Sequence, residues 1–189
     1  MVSVLVLYST GEGQTEKIAH RLTEVFGERE HDATAVNIEE HPSEVAIDDF
    51  DAVIVGASIH RGTQQPAAVN YVREHRAALA SKPTAFFQVS LASATEQGAV
   101  EAAEYVEAFL SKTGWHPDRI GLFGGALRYS QYGFLTRLVV KQIVKRNYPE
   151  VATDHDVELT EWDEVDAFAA DFAAFIEGRV GETPEDIED

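Results

Sequence analysis

Val2-Ser3-Val4-Leu5-Val6-Leu7-Tyr8 runs directly into Ser9-Thr10-Gly11-Glu12-Gly13-Gln14-Thr15. The first seven residues form a nearly continuous β-branched and apolar run, the pattern of a strand buried on both faces in a parallel sheet. The next seven are polar and carry two glycines, which predicts a loop. Beyond them Ile18, Ala19, Leu22, Val25 and Phe26 recur at helical spacing, so a helix is expected over 16–26. In such a loop glycines let backbone amides approach an anion, hydroxyls add donors, and the helix start contributes its dipole. The stretch therefore reads as a phosphate cradle. It is not a P-loop, because no Gly-Lys-Ser/Thr follows. It is not the Gly-x-Gly-x-x-Gly dinucleotide fingerprint either, since Gly11 and Gly13 match but position 16 is Glu. The expected ligand is a mononucleotide phosphate.

The same alternation continues outward. Strands are expected over 33–38, 52–57, 84–91 and 120–127, the last bearing glycines. Helices are expected over 67–79, ended by Lys82-Pro83, over 100–110 with Ala103, Val106, Ala108 and Phe109 inward, and over 162–176. Five strands alternating with helices, joined by right-handed crossovers, give an open five-stranded parallel sheet with helices on both faces. Ligands of such sheets sit at the carboxyl ends of the strands. Residues 128–160 are too long for a strand-to-helix loop of roughly 2–6 residues, and 135–144 carries its own helical run. The expected organisation is one domain over 1–177, interrupted by an insertion at 128–160, with an acidic tail over 178–189.

Composition narrows the function. The chain has 189 residues and no cysteine, which excludes disulfides, iron–sulfur clusters and thiolate chemistry. Its 33 acidic and 15 basic residues give a net charge of −18, which repels nucleic acid. So acidic a surface, with few lysines, fits concentrated salt, and a halophilic setting is expected. The longest apolar runs, 4–8, 52–57 and 138–140, fall far short of the ~20 residues of a membrane span, and the N-terminus has no basic start followed by a long apolar stretch. The expected location is cytoplasmic. The histidines show no metal-ligand spacing, Ser9, Ser58, Ser90 and Ser93 show no nucleophile elbow, and no metal site is expected.

Thr10-x-Glu12-Gly13-Gln14-Thr15 resembles the flavodoxin phosphate loop, Thr/Ser-x-Thr-Gly-x-Thr, which holds the phosphate of FMN. Glu12 replaces a hydroxyl residue there, so only its backbone amide fits the role. The resemblance implies FMN as cofactor, held by Ser9, Thr10, Gly11, Glu12, Gly13, Gln14 and Thr15. It also places Ser58, Ile59, His60, Arg61 and Gly62, after the third strand, and Ser90, Leu91, Ala92 and Ser93, after the fourth, around the flavin ring. Neither loop carries the aromatic pair that sandwiches the ring in many flavodoxins, and His60 and Arg61 offer positive charge near a reduced flavin. Gly114-Trp115-His116-Pro117-Asp118-Arg119, Gly124-Gly125-Ala126-Leu127-Arg128-Tyr129 and Thr160-Glu161-Trp162 narrow the match. These strings resemble the flavodoxin-like, menaquinone-dependent protoporphyrinogen IX dehydrogenase family. That resemblance implies a flavodoxin-like fold, a tetrapyrrole substrate and a membrane quinone as partner, with side chains positioning the cofactor rather than reacting themselves.

The insertion supports a distinct role on its own charge pattern. No acidic residue lies between Arg119 and Glu150, while Arg128, Arg137, Lys141, Lys145 and Arg146 make up a third of the basic residues. Arg137, Lys141 and Lys145 are four apart and form one stripe, beside Leu135, Leu138, Val139, Ile143 and Val144. This suits an anionic substrate or a peripheral anionic membrane surface on the inner face of the cell membrane. Tyr129, Tyr132 and Phe134 would stack on a flat macrocycle, and Arg128 and the stripe would meet its propionates. Two other readings stay open: a flavodoxin-like electron carrier and a flavin-dependent quinone reductase. A homo-oligomer is compatible with the sequence.

Overall fold

Strand β1 (Ser3–Ser9) is the axis of the sheet. It pairs in parallel with β2 (Asp32–Asn37) on one side and with β3 (Ala52–His60) on the other. Beyond β3 lie β5 (Thr84–Ser90) and β6 (Arg119–Gly124), giving the order β2-β1-β3-β5-β6, all parallel. A two-residue strand, β4 (Thr63–Gln64), folds back antiparallel on the end of β3. The computed structural model describes residues 1–40, 45–60, 62–131, 134–149, 151 and 154–181.

Alternation along β1 sorts the core into two layers. Val4, Val6 and Tyr8 face α1 (Gln14–Glu28) and α6 (Trp162–Gly181), where they meet Ile18, Leu22, Phe26 and Phe172. Leu5 and Leu7 face the other layer, with Val72 of α2 (Pro66–Glu74), Leu79 of α3 (Arg76–Ala80) and Phe109 of α4 (Ala99–Thr113). There Phe86 stacks on Phe109 at 4.4 Å, and Trp115 meets both edge-on. Arg21 of α1 grips Asp166 of α6 with two bonds of 2.7 Å, fixing the last helix across the first.

Three expectations change in detail. The expected helix over 67–79 is divided at His75, whose ring stacks on Tyr71 at 4.1 Å and whose Nδ1 lies 2.9 Å from the Tyr71 carbonyl oxygen. In α4 the inward residues are Ala102, Val106 and Phe109, while Ala103 and Ala108 face solvent. Alanine fits either face, so its position carries little periodic signal. The fifth strand stops at Gly124 rather than at 127. A Cβ at Gly124 would sit 2.0 Å from the Leu159 carbonyl oxygen, so the chain from the insertion's far end passes directly over this glycine. Residues Ala126–Leu127 (β7) then leave the sheet and pair antiparallel with Val157–Glu158 (β8).

That small hairpin closes the base of the insertion, which carries the helix α5 (Phe134–Asn147). Val144, Tyr148, Val151, Leu127 and Tyr129 form a third apolar cluster with Ala92 and Ala102. The insertion therefore packs against the β5–α4 edge of the domain instead of standing free. Among the described residues no helix is long and apolar enough to cross a membrane. Residues 182–189 of the expected acidic tail lie outside the described residues.

Candidate functional site

The carboxyl ends of β1, β3 and β5 open onto one cavity of about 780 Å³, roofed by the insertion. The loop after β1 and the start of α1 supply Thr10, Gly11, Glu12, Gln14 and Thr15; β3, which runs on through the expected loop to His60, supplies Ser58, Ile59 and His60, with Gly62 beyond it; the end of β5 and the turn after it supply Ser90, Leu91 and Ala92. The three stretches singled out by sequence thus converge. Arg61 lies outside the described residues.

The β1 loop is shaped from within. Gly13 adopts φ +84°, a conformation that costs most residues strain and glycine little, and its amide donates to Thr10 Oγ1 at 2.9 Å. This turn leads into α1, whose first-turn amides have no carbonyl one turn back to accept them. Thr15 Oγ1 is buried and has no hydrogen-bond partner among the described residues. A buried hydroxyl without a partner costs about 1–3 kcal/mol, and a phosphate oxygen at the mouth of this helix would satisfy it. The loop therefore fits the phosphate of FMN. Gly11 is close against the β3 loop: a Cβ there would lie 2.9 Å from Gln65 Nε2, which itself donates to Ser58 Oγ.

Gln14 is committed to the base of the insertion. Its Nε2 donates to Thr160 Oγ1 at 2.8 Å, and its Oε1 accepts from Arg128 at 3.1 Å. Thr160 in turn donates to the Gly124 carbonyl at 2.6 Å. Arg128 also lies 3.7 Å from Glu158, which pairs with Lys17 at 2.9 Å. Burial works against the Glu158 charge, but hydrogen bonds from Lys17 and Trp162 outweigh it and hold the carboxyl below the usual carboxylate range. The phosphate loop and the base of the insertion are tied together by this network.

Ser9 is buried, with Oγ 3.5 Å from Glu39 Oε2, and Gly13 and Ser93 are off the cavity wall. Ser93 instead bonds Ser90 through its hydroxyl at 2.7 Å and its amide at 3.0 Å, which tightens the turn after β5. Arg128, Tyr129, Arg137, Lys141 and Lys145 are likewise off the cavity wall, and Tyr132 lies outside the described residues. Tyr129 is buried under the insertion, and Arg137 donates to the Tyr129 carbonyl at 2.6 and 3.0 Å.

The wall opposite the phosphate loop is one the sequence reading did not assign. Val139, Val140, Ile143, Val144 and Tyr148 line it from the insertion, with Glu101 and Tyr105 from α4. Tyr105 and Tyr148 both donate to Glu101. Burial first, then the hydrogen bond to Glu101 and the Glu101 and Glu104 charges, push the Tyr105 phenol up to about 12. In sequence Glu101 looks like any acid in a first helical turn, where the dipole favours it. No local pattern sets it apart.

An open parallel sheet of order β2-β1-β3-β5-β6, with a glycine-bearing loop at its switch point and two further segments around one crevice, defines a flavodoxin-like domain. Residues 5–154 match the flavodoxin domain family. The chain is 34% identical over 173 residues to the Escherichia coli (strain K12) protoporphyrinogen IX dehydrogenase [quinone], covering 91% of this chain and 95% of that protein. It is 34% identical over 172 residues to the Leishmania major protein of the same name, covering 90% and 74% respectively. The chain belongs to the flavodoxin-like family of quinone-linked protoporphyrinogen IX dehydrogenases. Its fold is also shared with a Fusobacterium nucleatum flavodoxin solved with flavin mononucleotide bound, at a TM-score of 0.51 and 12% identity over 95% of this chain and 99% of that one.

Proposed function

We propose that this protein is an FMN-dependent oxidoreductase that converts protoporphyrinogen IX to protoporphyrin IX with a quinone as electron acceptor. The observation that carries the reading is the cavity, with a flavodoxin phosphate loop at one end and an apolar wall from the insertion at the other. A carrier that passes electrons through an exposed flavin edge has no use for that second wall.

FMN, when bound, accepts the electron pair from substrate and passes it on to the quinone. The chain supplies the rest. Thr15 Oγ1 and the first-turn amides of α1 hold the phosphate. Ser58, Ile59 and His60 and the Ser90–Ala92 stretch flank the ring, with His60 and the Ser58 and Ser90 hydroxyls as polar groups in a mainly apolar lining. The insertion roofs the crevice and gives a large apolar macrocycle a surface to lie against. Sub-states with propionates outward are favoured, because the wall of the cavity is apolar and Glu12 and Glu101 repel carboxylates.

The exposed flank of α5 supports a peripheral contact with an anionic membrane, where a lipophilic quinone resides. Leu138, Val139 and Ile143 are each at least half exposed, and Lys141, Lys145 and Arg146 accompany them. The −18 charge of the whole supports a halophilic setting. The test is anaerobic turnover: protoporphyrinogen IX and a menaquinone analogue are mixed with the FMN-loaded protein, and porphyrin fluorescence is followed. Porphyrin must form only when FMN and quinone are both present. Reduction by a nicotinamide donor with no porphyrin formed would reject this reading for the quinone reductase.

A further inference from the structure

Glu101 stands in the first turn of α4 with its carboxylate on the cavity wall. One oxygen accepts from Tyr105, a turn further along the same helix. The other accepts from Tyr148 at 2.7 Å, across the seam between α4 and the end of the insertion helix. The segment that carries Glu101 is also anchored from the sheet. Gln88 of β5 donates to the Ala102 carbonyl at 3.0 Å, and Gln64 of β4 donates to the Tyr105 carbonyl at 2.6 Å. Gln64 and Gln88 are themselves buried and bonded to each other at 2.9 Å. A carboxylate held from two sides in a mainly apolar cavity is an expensive way to join two helices, since apolar side chains would close the same seam without desolvating a charge. It is better explained as chemistry.

We infer that Glu101 accepts the proton released in each oxidation step, an inference that rests on the substrate reading above. In one two-electron step a C–H bond at a bridging methylene breaks, and its hydrogen leaves with the electron pair to the oxidised flavin. A pyrrole N–H bond breaks in compensation. Its electron pair enters the ring system as the new double bond, and its proton forms an O–H bond with Glu101. The carboxyl then returns that proton to water at the cavity mouth. That step removes two electrons and two protons, with the flavin as the oxidant; three such steps give the porphyrin, and because four hydrogens leave from bridging carbons and two from pyrrole nitrogens, the proton of one step comes from a bridging carbon. Each carboxylate oxygen has about two acceptor positions, and one tyrosine on each leaves the others for the substrate. Tyr105, its phenol pushed up to about 12, keeps its own proton and donates throughout the neutral range. Tyr105 and Tyr148 are positioning residues, and Glu101 is the catalytic one.

The experiment separates the two half-reactions in the FMN-loaded protein. In Glu101→Gln, flavin reduction by protoporphyrinogen should slow by about 10²–10⁴-fold, while FMN affinity and reoxidation by quinone stay as in the wild type. Binding of protoporphyrin to the FMN-free protein, read by porphyrin fluorescence, should also be unchanged. Formate should restore flavin reduction in Glu101→Ala by replacing the missing carboxylate. Tyr148→Phe, which loosens the seam but keeps the carboxylate, should lose far less than Glu101→Gln. Wild-type flavin reduction in Glu101→Gln would overturn the inference. So would a Tyr148→Phe loss as large as that of Glu101→Gln together with no rescue by formate, which marks Glu101 as a structural contact. If the wild-type protein in the same assay forms no porphyrin, the substrate reading itself fails and this inference with it.

Discussion

At Thr15 a single hydroxyl separates two ligands. With its Oγ1 buried and unpartnered, replacing it by Ala removes one donor to a phosphate and little else. Thr15→Ala should weaken FMN binding by about 1–3 kcal/mol, measured by quenching of flavin fluorescence, and leave riboflavin binding where it was. Equal losses for both flavins would mean that the loop does not read the phosphate. Tyr8 and Tyr105 give a pH prediction. Burial, with Glu16 beside Tyr8 and Glu101 beside Tyr105, raises each phenol from 10 to about 12 in the folded chain. The folded state therefore holds these protons more tightly than the unfolded state does. The associated stability is complete below pH 10 and is lost as pH rises toward 12. Denaturant midpoints should fall across that window, and less so in Tyr105→Phe. The turn after β1 was legible in sequence as a glycine-bearing loop between strand and helix because glycine and hydroxyl spacing is local chemistry. Gln14 shows the limit: its loop position was readable, but its bonds to Thr160 and Arg128 join residues more than a hundred positions apart.

Among elements, α5 has two flanks with different work. Val139 and Ile143 turn to the cavity mouth, Lys141 and Lys145 lie across the helix from them, and Arg146, two turns beyond Val139, is exposed along the Val139 face. Replacing Lys141, Lys145 and Arg146 by Gln keeps helix propensity. It should weaken attachment to anionic vesicles by about 1 kcal/mol per residue at low salt, read by co-sedimentation. Undiminished sedimentation would leave the basic flank as an ordinary solvated face. Arg137 is a poor choice for that test, because its guanidinium holds the Tyr129 carbonyl and its loss would disturb the insertion. The helical run of the insertion was readable from its period, as were the five main strands from their apolar runs. The hairpin of β7 and β8 was not, because two-residue strands carry no period and their pairing depends on where the chain returns. The break after Gly124 escaped for the same reason: the close approach of Leu159 is a long-range event.

Over the whole molecule the net charge of −18 sets the response to salt. Charges separated by more than the screening length, about 10 Å at 0.1 M and 3 Å at 1 M, repel freely only in dilute solution. The melting temperature should therefore rise between dilute and molar salt, and a constant value would contradict a surface built for brine. Fold class and the three converging loops followed from alternation of elements, because an open parallel sheet always presents its carboxyl ends on one side. The opposite wall did not, because Glu101, Tyr105 and Tyr148 meet only when α4 and the insertion pack. The hairpin holds Ala126 beside Glu158, so the two ends of the insertion already touch. In polymer terms the insertion is a closed loop hung from a fixed clasp. Changing the length of such a loop alters closure entropy only slowly, by about 0.6 kcal/mol for each doubling. A gene could lengthen, shorten or exchange this segment without retuning the sheet beneath it, and the substrate range would be the property that drifts.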